Sequence, residues 1–252
     1  MSELRIIPIR GVGEARPGDD VAALLVAAFE AQGERFAAGD VLVVTQKIVS
    51  KAEGRIVQLD TVTPSETALA LSRVNGRDPR QIEVALRETA QVVRLDMQRG
   101  ILISETRHGF VCANAGVDGS NLATADEVSM LPIDSDESAR GIRAGVRERT
   151  GAEVAVVVSD TFGRAWRTGQ TNVAIGVAGL RPVHDYRGQQ DSAGLVLVVT
   201  EIAVADELAS AAELVMGKLD RVPAAIVRGY AYEPAEASAR ELVRPAELDM
   251  FR

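Results

Sequence analysis

The chain has 252 residues, 46% apolar and 25% charged, with 22 glycines and 9 prolines; this balance excludes a disordered or fibrous protein and leaves enough length to bury a sizeable core. The formal net charge is -8 and the 28 Lys and Arg residues are scattered, which speaks against nucleic acid as a partner. One cysteine, Cys112, and two histidines, His108 and His184, exclude an intrachain disulfide and a Cys/His zinc cluster.

In chain order, a Val/Ile-type strand is predicted at 4–9, and Asp19-Asp20 then cap a helix over 21–36. A strand follows at 41–49. Ser65 starts a helix through 74, and Pro79 opens another through 92 or beyond. Short strands at 101–104 and 110–113 flank His108-Gly109 as a pair. A helix over 135–149 precedes strands at 154–159, 173–177 and 195–201, a helix over 206–216 and a last strand at 224–227. Paired strands between helices break any regular alternation, so the order predicts an α+β fold rather than a doubly wound sheet. No Pro/Ser-rich linker interrupts the chain, which predicts two intimately packed lobes. The N-terminal MSELRIIPIRGVGE lacks an apolar core of signal-peptide length, and no run of about 18 apolar residues occurs, so a cytoplasmic protein with no membrane partner is expected.

Several segments carry residues suited to chemistry. Gly11-Val12-Gly13-Glu14-Ala15-Arg16 has the start of a dinucleotide loop but lacks its third glycine. In 41–55, Lys47 lies within an apolar run and Lys51 at its end, so either points into a cleft or sits on the surface. In Asn114-Ala-Gly116-Val-Asp118-Gly119-Ser120-Asn121, small residues surround an acid; the pattern fits an Asx-type turn and equally a loop offering oxygen ligands to a hard cation. The run 154–164 is an apolar strand ending at Asp160-Thr161, which reads as a turn cap or as two ligands for metal or phosphate. Beyond it, Arg164, Arg167 and a polar stretch through Asn172 suit phosphate or carboxylate, or simply solvent, and Trp166 reads as a packing residue.

Six collinear segments, VVTQKIVSKAEGR, ANAGVDGSN, LPIDSDESA, VVVSDTFGRAWRTGQTNVAIG, VTEIAVADELASAAELVMGK and VPAAIVRG, resemble the coenzyme F420-0:L-glutamate ligase family over nearly the whole chain. The resemblance implies an unusual α+β fold forming an intertwined homodimer, with residues 1–252 as one ligase domain. It implies GTP-dependent addition of L-glutamate, in γ-linkage, to coenzyme F420-0 or its dehydro form, with Mg²⁺ or Mn²⁺ and, as a further candidate, K⁺. Carried over position by position, Asp118 and Asp160 are metal-binding and catalytic, with Thr161 reaching a second ion. Val12, Gly13, Glu14, Ala15, Gln46, Lys51 and Asn121 contact GTP; Arg164 and Arg167, from their residue type alone, are the catalytic candidates for holding carboxylate or phosphate. Four positions depart from the family pattern: Val12-Gly13 replaces Leu-Pro, Gln46 replaces a small hydroxyl residue, and Lys218 stands where archaeal relatives carry an acid. The similarity is greatest to the ligase half of the two-domain actinobacterial enzyme, and 244–252 resembles the segment before that enzyme's nitroreductase-like half. An acid-amine ligase acting on other substrates and a nucleotide-binding module without turnover are the alternatives.

Overall fold

The computed structural model describes residues 3–250; Phe251 and Arg252, the end of the 244–252 segment, lie outside the described residues. Strand β1 (Arg5–Ile9) is followed by helix α1 (Val21–Ala31), whose first turn is closed by Asp20 Oδ1 accepting from the Ala23 amide at 2.9 Å. The helix stops well before residue 36 because Gly33 adopts φ 81°, which turns the chain so that Phe36 packs edge-on against Phe29, ring centres 5.0 Å apart.

Strand β2 (Val41–Thr45) ends where the expected strand was to continue, and helix α2 (Gln46–Ala52) begins at once. The apolar run has two periods in it: all of 41–44 is buried between layers, whereas Ile48 and Val49 are the inner face of a helical turn. After β3 (Ile56–Gln58) come α3 (Glu66–Asn75), capped by Ser65, and α4 (Pro79–Glu88), capped by Asp78. Helix α4 does not run on to 92. Thr89 to Asp96 form β4, which pairs with β5 (Ile101–Thr106), and β5 pairs in turn with β6 (Val111–Ala113) across the His108-Gly109 turn. β-branched residues in 89–93 find strand partners here, and that pairing outweighs helical continuation.

Strand β7 (Glu127–Ser129) pairs with β3, and helix α5 (Ser135–Thr150) follows, capped by Asp134 and closed by Gly151 at φ 72°. β8 (Ala155–Arg164) and β9 (Arg167–Ala178) are far longer than their apolar cores and make one hairpin, with Asp160 and Thr161 inside β8 rather than at its end. Short β10 (His184–Asp185) and β11 (Glu201–Ile202) pair with each other. The expected strand at 195–201 is regular only at its last residue: 195–200 pairs irregularly with 186–191, as in Leu197 N to Gln189 O at 2.8 Å, and Leu195, Val196, Val198 and Val199 stay exposed. Helix α6 (Val204–Met216) and β12 (Ala224–Arg228) complete the fold.

The main sheet runs β1-β12-β2-β8-β9, antiparallel except for the β2–β8 pair. Helices α1, α5 and α6 supply Leu25, Phe29, Val146, Leu208 and Met216 to its core. Close approach of α5 requires Gly176 on β9, where a Cβ would run into the Ser135 carbonyl and fall 2.7 Å from Ser135 Cβ. Residues 55–131 form a second lobe with two small cores, Leu59/Val62/Val84/Val128 and Ala68/Leu71/Ile82. The lobes join through contacts such as Lys47 Nζ to Asp118 Oδ2 at 2.5 Å and Phe110 edge-on to Phe162, ring centres 6.3 Å apart, consistent with an α+β molecule of packed lobes. No helix among the described residues is long and apolar enough to cross a membrane.

Candidate functional site

The strand-to-helix switch at Thr45–Gln46 sets the site's first cations. On α2, Lys47 and Lys51 are four residues apart and share one face, while Gln46 lies on the other, 2% exposed, accepting from Ser50 Oγ at 2.8 Å. The expectation that Lys47 lies in a strand is thus corrected, yet the helix aims both ammonium groups at the same loop.

That loop is 114–121. Asn114, Ala115 and Gly116 all take positive φ, and Gly116 is required because a Cβ there would sit 2.6 Å from Leu131 Cγ. Arg77 anchors the turn, donating to Asn114 Oδ1 at 2.9 Å and to Gly100 O at 2.7 Å. Asp118 is then held by backbone bonds to Ser129 in both directions, 3.0 and 2.8 Å. Its carboxylate accepts from Ser120 N (2.9 Å), Ser120 Oγ (2.6 Å) and Lys47 Nζ (2.5 Å), so the Asx-type turn and the projecting acid are the same structure. Burial pushes this carboxyl upward, but the bonds from Lys47 and Ser120 outweigh it and hold Asp118 below the usual carboxylate range.

Asp160 behaves oppositely. Burial pushes its carboxyl up to about 6 and the Asp118 charge adds to the rise; the Thr161 backbone amide and the charges of Lys47 and Lys218 only partly oppose it. Two acids of opposite tendency thus act on each other, with Lys47 bonded to Asp118 and the charges of Lys47 and Lys218 both acting on Asp160. The Thr161 hydroxyl donates to Asn172 Oδ1 at 2.7 Å and accepts from Lys218 Nζ. Asn172, buried, donates on to Glu213 Oε2 at 2.9 Å, and Lys218 Nζ lies 3.6 Å from Glu213 Oε1.

Further along α2, Lys51 pairs with Glu14 and donates to Asn121 O at 3.0 Å, so Glu14, Lys51 and Asn121, distant in sequence, meet at one point. Of their neighbours, Gly13 is exposed, Val12 packs partly against the main core and Ala15 is buried. Arg164 and Arg167 lie at the exposed tip of the β8–β9 hairpin; Arg164 bends back to Thr168 O (2.8 Å) and Gly169 O (3.4 Å). Trp166, expected to pack, is 86% exposed in the turn between them, at φ 64°.

Asn172 and Glu213 escaped the sequence reading. Asn172 lies in a polar stretch whose arginines are its stronger signal, and Glu213 is one of three acids on α6, with no local signal that it faces β9. A separate concavity along α5 is spanned by the pairs Arg143–Glu236 (3.0 Å) and Arg147–Glu153 (2.8 Å), so its arginines are already neutralised.

No group of three or more His, Cys, Asp or Glu among the described residues is placed to hold a metal unaided. Asp118 and Asp160, which act on each other electrostatically, are the two carboxylates here of the oxygen type a hard cation takes.

Residues 11–229 match the family described as F420-0:Gamma-glutamyl ligase. The chain is similar to a protein named coenzyme F420:L-glutamate ligase from Methanothermobacter thermautotrophicus, 44% identical over 252 residues that cover 99% of each chain. A protein of the same name from Methanopyrus kandleri is 44% identical over 254 residues, 99% of this chain and 98% of the other. One from Methanocaldococcus jannaschii is 41% identical over 215 residues, 85% of each.

Proposed function

Because this chain belongs to the F420-0:gamma-glutamyl ligase family and is an enzyme of the ligase class, we propose that it adds L-glutamate in γ-linkage to coenzyme F420-0, using GTP. The observation that carries this reading is the cation-flanked acid pair: Asp118 and Asp160 between Lys47 and Lys218, with Lys51 beside them at Glu14 and Asn121. Such a cluster suits a metal-bound polyphosphate better than a neutral ligand.

In the reaction, a substrate carboxylate oxygen attacks the γ-phosphorus of GTP; the bond to the bridging oxygen breaks and GDP leaves. The glutamate amine then attacks the acyl carbon of the mixed anhydride, the amide bond forms, the amine proton passes to solvent and phosphate departs. A bound Mg²⁺ or Mn²⁺, held by Asp118 and Asp160, would neutralise charge on the phosphoryl group being transferred. Lys47 orients Asp118 and adds a positive charge to the same side. Lys51, with the backbone of Asn121 and the loop of Val12, Gly13, Glu14 and Ala15, is assigned to the nucleotide, for which Glu14 must give up its pairing with Lys51. Gln46, being turned inward, serves this site through the packing of α2. Arg164 and Arg167, on the hairpin tip, are assigned to anionic substrate groups that approach from outside the sheet. None of these steps needs a protein nucleophile.

Exposed apolar side chains on the hairpin tip and on 195–199, together with Leu214 and Leu219, support assembly as a homodimer. A cytoplasmic ligase unit spanning 1–252 completes the proposal. The test is direct: purified protein is incubated with F420-0, GTP, L-glutamate and Mn²⁺, and products are weighed by mass spectrometry. Products heavier by one or more glutamyl residues, with matching GDP, are expected. GTP bound but unconsumed would instead indicate a nucleotide-binding module, and turnover with other acids but not F420-0 a ligase of different substrate.

A further inference from the structure

The ring of hydrogen bonds beside Asp160 holds a cation of its own. Lys218 follows the C-terminus of α6, where Gly217 takes φ 59°, and its side chain reaches across to β8. A lysine at a helix C-terminus is commonly explained by the helix dipole alone. Here, however, Nζ engages the Thr161 hydroxyl, lies 3.6 Å from Glu213 Oε1 and acts electrostatically on Asp160. Thr161 spends its proton on Asn172, and Asn172 spends an amide hydrogen on Glu213. Each oxygen that a hard cation would seek at this point, Thr161 Oγ1 and the Glu213 carboxylate, thus already faces an ammonium group.

We infer that the Lys218 ammonium takes the place of a second divalent ion, so that this enzyme works with one divalent cation per site, bound at Asp118 and Asp160. The inference rests on the metal-nucleotide reading above and sharpens it. The tethered charge has the sign needed next to a polyphosphate, it costs no free metal, and it cannot share the Thr161 oxygen with a divalent ion a bond length away. Lys218 is a positioning residue by this account: it holds Thr161 and supplies local charge without taking part in bond making.

The test counts ions rather than turnover. Native mass spectrometry of the full chain with GTP and MnCl₂, without F420-0, is expected to give one Mn²⁺ per bound nucleotide. Lys218→Gln frees Thr161 and Glu213, and Lys218→Glu adds a carboxylate, so at least one of these variants is expected to carry two. The Lys218 side chain is 55% exposed, so both substitutions leave the core untouched. Two ions in the unaltered protein would overturn the inference while leaving the metal-nucleotide site standing, as would a count of one in both variants. No Mn²⁺ in any of the three proteins would overturn both.

Discussion

Replacing Asp160 by Asn should stabilise the ligand-free protein while destroying its activity. In the native fold the carboxyl is raised from 3.8 to about 6, mainly by burial and then by the neighbouring Asp118 charge. Folding therefore favours the protonated acid: the favourable contribution is fully present below pH 4 and is lost as pH rises through 6. Two pKa units correspond to about 3 kcal/mol at neutral pH. The opposing charges of Lys47 and Lys218 are already contained in that shift, and because an amide replaces a protonated carboxyl imperfectly a net gain of about 2 kcal/mol is expected. For a chain of this size that is a rise of roughly 4–8 °C in melting temperature at pH 7.5. Urea unfolding of both proteins from pH 4 to 8 checks it. The variant's advantage should be small near pH 4, grow between pH 4 and 6 and level off above, and Mn²⁺ with GTP should stabilise only the unaltered protein. A variant equally or less stable at pH 7.5, or a difference that does not change with pH, would refute the idea that Asp160 is an under-compensated buried acid.

Other sites give sharper structural or functional outcomes. Lys51→Ala removes the cation beside Glu14 and Asn121 and should raise KM for GTP by about tenfold with little change in kcat, read by steady-state kinetics. Asp118→Asn should lower glutamate addition by at least about 10³-fold while circular dichroism stays native, since the amide oxygen can still accept the turn bond from the Ser120 backbone. Arg228→Met strips the bidentate partner, at 2.8 and 2.7 Å, from the fully buried Asp40 and should cost about 3 kcal/mol in urea unfolding. Gly176→Ala forces α5 away from the sheet and should cost about 3 kcal/mol or leave the protein insoluble, visible as a lowered midpoint or loss from the supernatant.

Much of the local structure was legible because its determinants are local. Asp20, Ser65, Asp78 and Asp134 cap the helices they precede, and Gly76 and Gly151 end theirs in the left-handed conformation. The misread boundaries share one cause. At 46–52 and at 89–93, apolar and β-branched residues fit either period, and the choice fell to what lies across from them: the inner face under α2 in one case, the β5 ladder in the other. The run 195–199 has a strand's composition but pairs only irregularly, with the polar segment 186–191, and its apolar side chains stay exposed, so composition misled there.

The candidate site divides in the same way. Asp118 in its turn, Asp160-Thr161 on an apolar run and the Lys47/Lys51 spacing are present in the linear sequence, and collinear motifs carry the family. That Glu14 meets Lys51, that Lys47 reaches Asp118, and that Glu213 and Lys218 close a ring on Thr161 are matters of tertiary structure alone. Those contacts join residues roughly 40 to 70 positions apart, and no short-range pattern encodes which strand edge a helix will pack against. The opposed tendencies of the two acids follow from the same placement. A carboxyl's burial and the charges around it are set by what the fold brings beside it, so sequence named the acids and only the assembled sheet, loop and helix decided which one holds its proton to higher pH.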